Sequence, residues 1–190
     1  MLILVLGFIV PISAHAQEET AEGKALQSRG VVAGFASSHL ENESEDYDVV
    51  PLMLRFSYNP NDALNKVGID LPGDWQFNVE PFYGQTLSPG NSPEVGCGFM
   101  LRFNLPVIKD RMAWFVEGGV GPIYLGEDTE EQGGHFNFID QAGGGLSLKL
   151  NKRLSAEVAY RFRHVSNAGL DSPNSGINGN TYLLALNWRY

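Results

Sequence analysis

The sequence predicts an all-β chain, an eight-stranded antiparallel transmembrane β-barrel. Three observations point there. About eight segments alternate apolar and polar residues with period two, and almost none repeats with helical period. Each has the roughly 9–11 residues that a tilted membrane strand needs. One face of each is consistently apolar, while the other carries Gln, Asn, Glu, Arg, Lys and many glycines.

The elements follow in order. Met1 to Val10 is an apolar run, too short to cross a bilayer as a helix. It leads to Ala14-His15-Ala16, a small-x-small cleavage pattern, and then to polar Gln17-Glu18-Glu19. Residues 1–16 read as a secretory signal peptide, residues 17–29 as a polar lead-in and residues 30–190 as the barrel. The first strand covers about Gly30 to Ser38. The second places Val50, Leu52, Leu54, Phe56 and Tyr58 on one face, and Pro51 near its start suits a rim position. The third alternates Trp75, Phe77, Val79, Pro81 and Tyr83 against Gln76, Asn78, Glu80 and Phe82. The fourth runs from Val95 to Leu105, the fifth from Met112 to Gly121 and the sixth from Gln141 to Leu150. The seventh extends from Leu154 to Ser166, and the last from Thr181 to Tyr190.

A soluble, lipocalin-like barrel would also have one apolar face, so composition leaves both open. Three features favour the membrane. Trp75, Tyr83, Trp114, Tyr124, Trp188 and Tyr190 sit near strand ends, as in interfacial girdles. The chain ends on an aromatic within an alternating apolar run, which resembles the C-terminal signal of bacterial outer-membrane barrels. The glycine-rich polar face suits a narrow lumen filled by side chains. Connections mostly alternate between short (106–111, 151–153) and long (40–48, 85–94, 125–135, 167–180), as periplasmic turns and outer loops do. Residues 59–74 are the exception, long on the periplasmic side.

The net charge of −9 argues against a nucleic-acid partner. Cys97 is alone, so no intrachain disulfide forms. His39 and His135 lack a ligand cluster, and the acidic stretch Glu41 to Asp48 reads as a solvated loop whose spacing does not match an EF-hand. No metal and no cofactor are expected. The sequence allows a homodimer and does not fix the oligomeric state.

The chemistry lies at the end of the seventh strand. Tyr160, Phe162, His164 and Ser166 share one face, and Arg161 and Arg163 point the other way. A base and a nucleophile type therefore continue an apolar face. A lone His164 would read as a rim histidine, and Ser166-Asn167 alone as a strand end entering a turn. Their context is more specific. His164-Val165-Ser166-Asn167-Ala168-Gly169, followed by Pro173-Asn174-Ser175-Gly176, resembles the signature of the outer-membrane lipid A 3-O-deacylases.

That resemblance implies an esterase that hydrolyses the 3-linked 3-hydroxyacyl ester of lipid A in the outer leaflet. The partners it implies are lipopolysaccharide as substrate and the surrounding outer-membrane lipids. It implies Ser166 as nucleophile, His164 as base, and Asn174 with the backbone N–H of Gly169 as oxyanion donors. Asn167 belongs to the same motif. Some family members carry a glutamate where this chain has Asn178, to orient the histidine. Asparagine accepts a hydrogen bond from imidazole but does not balance imidazolium by charge. In the serine-protease triad an Asp-to-Asn change there costs about four orders of magnitude. Activity is retained if Asn178 suffices in a dyad-like enzyme, or if another acid such as Asp171 substitutes. The alternative is a non-enzymatic outer-membrane barrel, structural or adhesive, with a degenerate site.

Overall fold

The computed structural model describes residues 26–41, 45–108 and 111–190. The signal peptide read at residues 1–16 and most of the lead-in lie outside them, as do residues 42–44 of the acidic loop. Eight strands pair with their sequence neighbours: β1 (Leu26–His39), β2 (Asp46–Tyr58), β3 (Asp74–Ser88), β4 (Pro93–Ile108), β5 (Met112–Leu125), β6 (Phe136–Lys149), β7 (Leu154–Ser166) and β8 (Ile177–Arg189). β8 pairs back on β1, so the sheet closes into a barrel without edges. A short helix, α1 (Asn61–Leu64), and a 3-10 turn fill the long β2–β3 connection.

Alternation sorts the side chains. Leu184 is 65 % exposed on the outer wall, whereas Arg161 is 0 % exposed in the lumen. Leu52, Leu54, Trp114, Val116, Val158 and Leu186 share the outer wall. An apolar exterior around a charged interior is the membrane arrangement, since a soluble barrel inverts it.

The lumen is closed by a ring of alternating charges. Arg55 Nε and Nη1 donate to Glu80 and Glu157, each at 2.6 Å. Arg102 Nη1 and Nε donate to Glu157 at 2.8 Å and Glu117 at 2.9 Å. Arg161 Nε and Nη1 complete the ring to Glu117 and Glu80, each at 2.7 Å. Three arginines balance three glutamates, and the ring ties β2, β3, β4, β5 and β7 together across the barrel. Desolvating such charges is costly, and only this complete pairing offsets the cost. Towards the loops, Arg163 grips Glu94 through two bonds of 3.1 and 3.0 Å. Beyond that pair an apolar plug of Ala36, Leu40, Tyr47, Val49, Ile123, Leu125, Ile139, Val165 and Ile177 fills the loop end of the barrel.

The strands are longer than their hydrophobic patterns. β1 begins at Leu26, inside the expected lead-in. β3 and β4 leave only residues 89–92 between them, so 85–94 is not a long loop. β6 begins at Phe136 and β8 at Ile177, each ahead of its expected start. The cause is physical: the hydrogen-bond ladder joins backbones, so it continues where the outward apolar pattern is interrupted. Pro51 is likewise not at a rim. It is the sixth residue of β2 and faces Gly84 of β3.

Candidate active site

β7 carries His164 and Ser166 to the barrel's loop end, on the outer wall. Val165 between them is fully buried in the apolar plug, which fixes the strand's rotation. Phe162 and Tyr160 continue the same outer face, 43 % and 42 % exposed. The imidazole and hydroxyl thus stand at the head of an apolar, lipid-facing wall.

The structure brings His164 and Asn178 together. They are directly opposed across β7 and β8, and His164 Nδ1 lies 2.7 Å from Asn178 Oδ1. In the tautomer that donates from Nδ1, Nε2 keeps its lone pair and is free to act as a base. No hydrogen bond joins Ser166 Oγ to the imidazole among the described residues. In unliganded sites such contacts are commonly long and tighten around substrate.

Asn167 is the hub of the following loop, and its side chain is fully buried. Its N–H donates to Asn174 Oδ1 at 2.9 Å. Its Nδ2 donates to the carbonyls of Asp171 at 3.0 Å and Pro173 at 3.2 Å. Its Oδ1 accepts the N–H of Gly169 at 2.9 Å. Two consequences follow for the expected oxyanion donors. Because Asn174 Oδ1 is used as an acceptor, its amide NH2 is the end left to donate to a ligand. The Gly169 N–H, by contrast, is spent inside the loop and does not stand free as an oxyanion donor. The glycine serves geometry there: its φ is +77°, next to Ala168 at +55°.

A second loop, residues 126–135, clamps the first. Gly133 N–H donates to Pro173 O at 2.7 Å, and Ser175 N–H to Glu131 O at 2.9 Å. A Cβ on Gly133 would lie 2.3 Å from Ser172 backbone, so the approach requires glycine. Nothing in the local pattern of either loop announces this contact. The Asn167 hub had a partial signal, an asparagine where a strand enters a Gly- and Pro-bearing turn.

The remaining candidates have other partners. Asp171 Oδ1 accepts the N–H of Ser172 at 2.8 Å, within the loop. His135 stacks on Tyr124 with ring centres 5.2 Å apart. His39 Nδ1 lies 3.0 Å from Asp46 Oδ1.

A family model described as lipid A 3-O-deacylase (PagL) matches residues 51–187, which include every one of these motif residues. No curated protein matches the chain. Among solved structures, the outer membrane enzyme PagL is 18 % identical with a TM-score of 0.61, over 83 % of this chain and 97 % of that one. Neisserial surface protein A is 10 % identical with a TM-score of 0.63, over 86 % and 96 %. The N-terminal β-barrel domain of Pseudomonas aeruginosa OprF is 12 % identical with a TM-score of 0.50, over 87 % and 99 %. At such identities these structures speak to the fold, and the family match speaks to the chemistry.

Proposed function

This chain belongs to the lipid A 3-O-deacylase family of outer-membrane hydrolases, and from that premise we propose how its own residues carry the reaction. Ser166 Oγ attacks the ester carbonyl at position 3 of lipid A while His164 Nε2 takes its proton. The tetrahedral oxyanion forms against the Asn174 amide. Its collapse breaks the ester C–O bond, and the imidazolium returns the proton to the departing 3-hydroxyl of the lipid A sugar. Water, deprotonated by His164, then hydrolyses acyl-Ser166 and releases a 3-hydroxy fatty acid. The enzyme is bound to the outer membrane, and its substrate is lipopolysaccharide.

The observation that carries this reading is the Asn178–His164 contact of 2.7 Å on a wall that faces lipid. In our reading the ring held there serves Ser166, two positions along the same strand face. The low dielectric of that surface strengthens each contact to the oxyanion. The family match favours an enzyme over a purely structural barrel.

A fluorophosphonate probe tests the nucleophile. Peptide mapping of the labelled, folded barrel is expected to find the adduct on Ser166, absent from Ser166→Ala and much slower to form in His164→Ala. Labelling elsewhere, or equal labelling of His164→Ala, contradicts the assignment.

A further inference from the structure

His164 belongs to a transverse row of outward-facing polar residues. Asp140 of β6 is directly opposed to His164 of β7, His164 to Asn178 of β8, Asn178 to His39 of β1, and His39 to Asp46 of β2. The row crosses five strands of the barrel wall. Its two ends are carboxylates, and only Asp140 is a direct neighbour of the imidazole.

The surroundings of Asp140 are unusual for a carboxylate. On the outer face its neighbours along β6 are Phe138 and Ala142, and across β5 it meets Val120. His164 is the sole polar group among these neighbours. Asp140 is exposed and makes no hydrogen bond or ion pair among the described residues. An unpartnered carboxylate on an apolar barrel wall is unfavourable, so its position calls for a reason. Directly opposed residues of an antiparallel pair hold their Cβ atoms about 4.5–5.5 Å apart, which places a carboxylate within strong Coulomb reach of an imidazolium.

We propose that Asp140 is a positioning residue that supplies the negative charge Asn178 lacks. Asn178 fixes the ring by a hydrogen bond from β8, and Asp140 balances the proton that His164 takes from Ser166, from the other side on β6. The two duties that one carboxylate performs in a serine-protease triad are then divided between two residues. Asp171, with its carboxylate bonded inside the loop, takes no part. The inference rests on the proposed role of His164 as base.

The test compares Asp140→Asn, Asp140→Glu and the double variant Asp140→Asn with Asn178→Glu, as full barrels acting on lipopolysaccharide. Folding is checked by the heat-dependent gel migration of the barrel. Asp140→Asn is expected to lower kcat roughly tenfold to hundredfold with KM little changed. Asp140→Glu should retain most of the turnover. Asn178→Glu should restore at least tenfold in the Asp140→Asn background, because it returns a carboxylate to the opposite side of the same ring. A merely structural role for Asp140 would not be relieved from β8. Unchanged kcat in folded Asp140→Asn overturns the proposal. So does a loss that neither Asp140→Glu nor Asn178→Glu relieves. Asp140→Ser stands in should the asparagine variant fail to fold. His164→Ala runs alongside: wild-type turnover in it removes the base assignment itself, whereas an inactive His164→Ala beside a fully active Asp140→Asn removes only the role of Asp140.

Discussion

Gly176 lies against the ring of His164 so closely that a Cβ there would stand 2.6 Å from the imidazole Cε1. Its φ of +83° is a second reason for glycine. The last residue of the Pro-Asn-x-Gly segment thus leaves space for the His164 ring as well as turning the chain into β8.

Gly176→Ala is therefore expected to displace the imidazole. A misplacement of about an ångström costs on the order of a hundredfold in turnover, and the left-handed backbone adds a destabilisation of about 1–2 kcal/mol. Steady-state kinetics beside urea unfolding separates the two effects. Turnover within a factor of two of wild type would show that the contact does not position His164.

The proposed mechanism gives Asn174 two tasks at once. Its Oδ1 accepts the N–H of Asn167 at 2.9 Å, and its NH2 is the group we propose as the oxyanion donor. Asn174→Asp keeps an acceptor for Asn167 and removes the donor. It should lose roughly 10²–10³ in kcat, the usual cost of one oxyanion donor. Near wild-type kcat in a folded Asn174→Asp barrel would exclude the donor role.

The ring of charges in the lumen acts on stability rather than chemistry. Arg161→Met removes its bonds to Glu80 and Glu117 and leaves two buried carboxylates short of a partner. The expected destabilisation is about 3–5 kcal/mol, measured by urea titration in lipid vesicles. A change below about 1 kcal/mol would mean that the remaining arginines re-pair around the gap.

The sequence discloses the parts of this molecule that depend on local pattern. Period-two alternation places His164 and Ser166 on the outer face of β7, and the motif residues after them single out Asn167, Gly169 and Asn174. Pairings between distant strands leave no such trace. Arg55 meets Glu157 across 102 positions, and Asp140 meets His164 only through the register of β6 on β7. Gly169 shows a different limit. A glycine in a motif signals backbone freedom, but only the folded loop shows that its N–H is taken by Asn167. Strand ends were also hidden, because backbone pairing continues where the apolar pattern is interrupted.

The most direct test of the whole account is mass spectrometry of lipid A from cells expressing the wild type, Ser166→Ala or His164→Ala, with each barrel confirmed as folded in the outer membrane. The account predicts loss of one 3-hydroxyacyl mass from position 3 with the wild type and intact lipid A with both variants. Identical lipid A from all three, or deacylation that persists in Ser166→Ala, would contradict it.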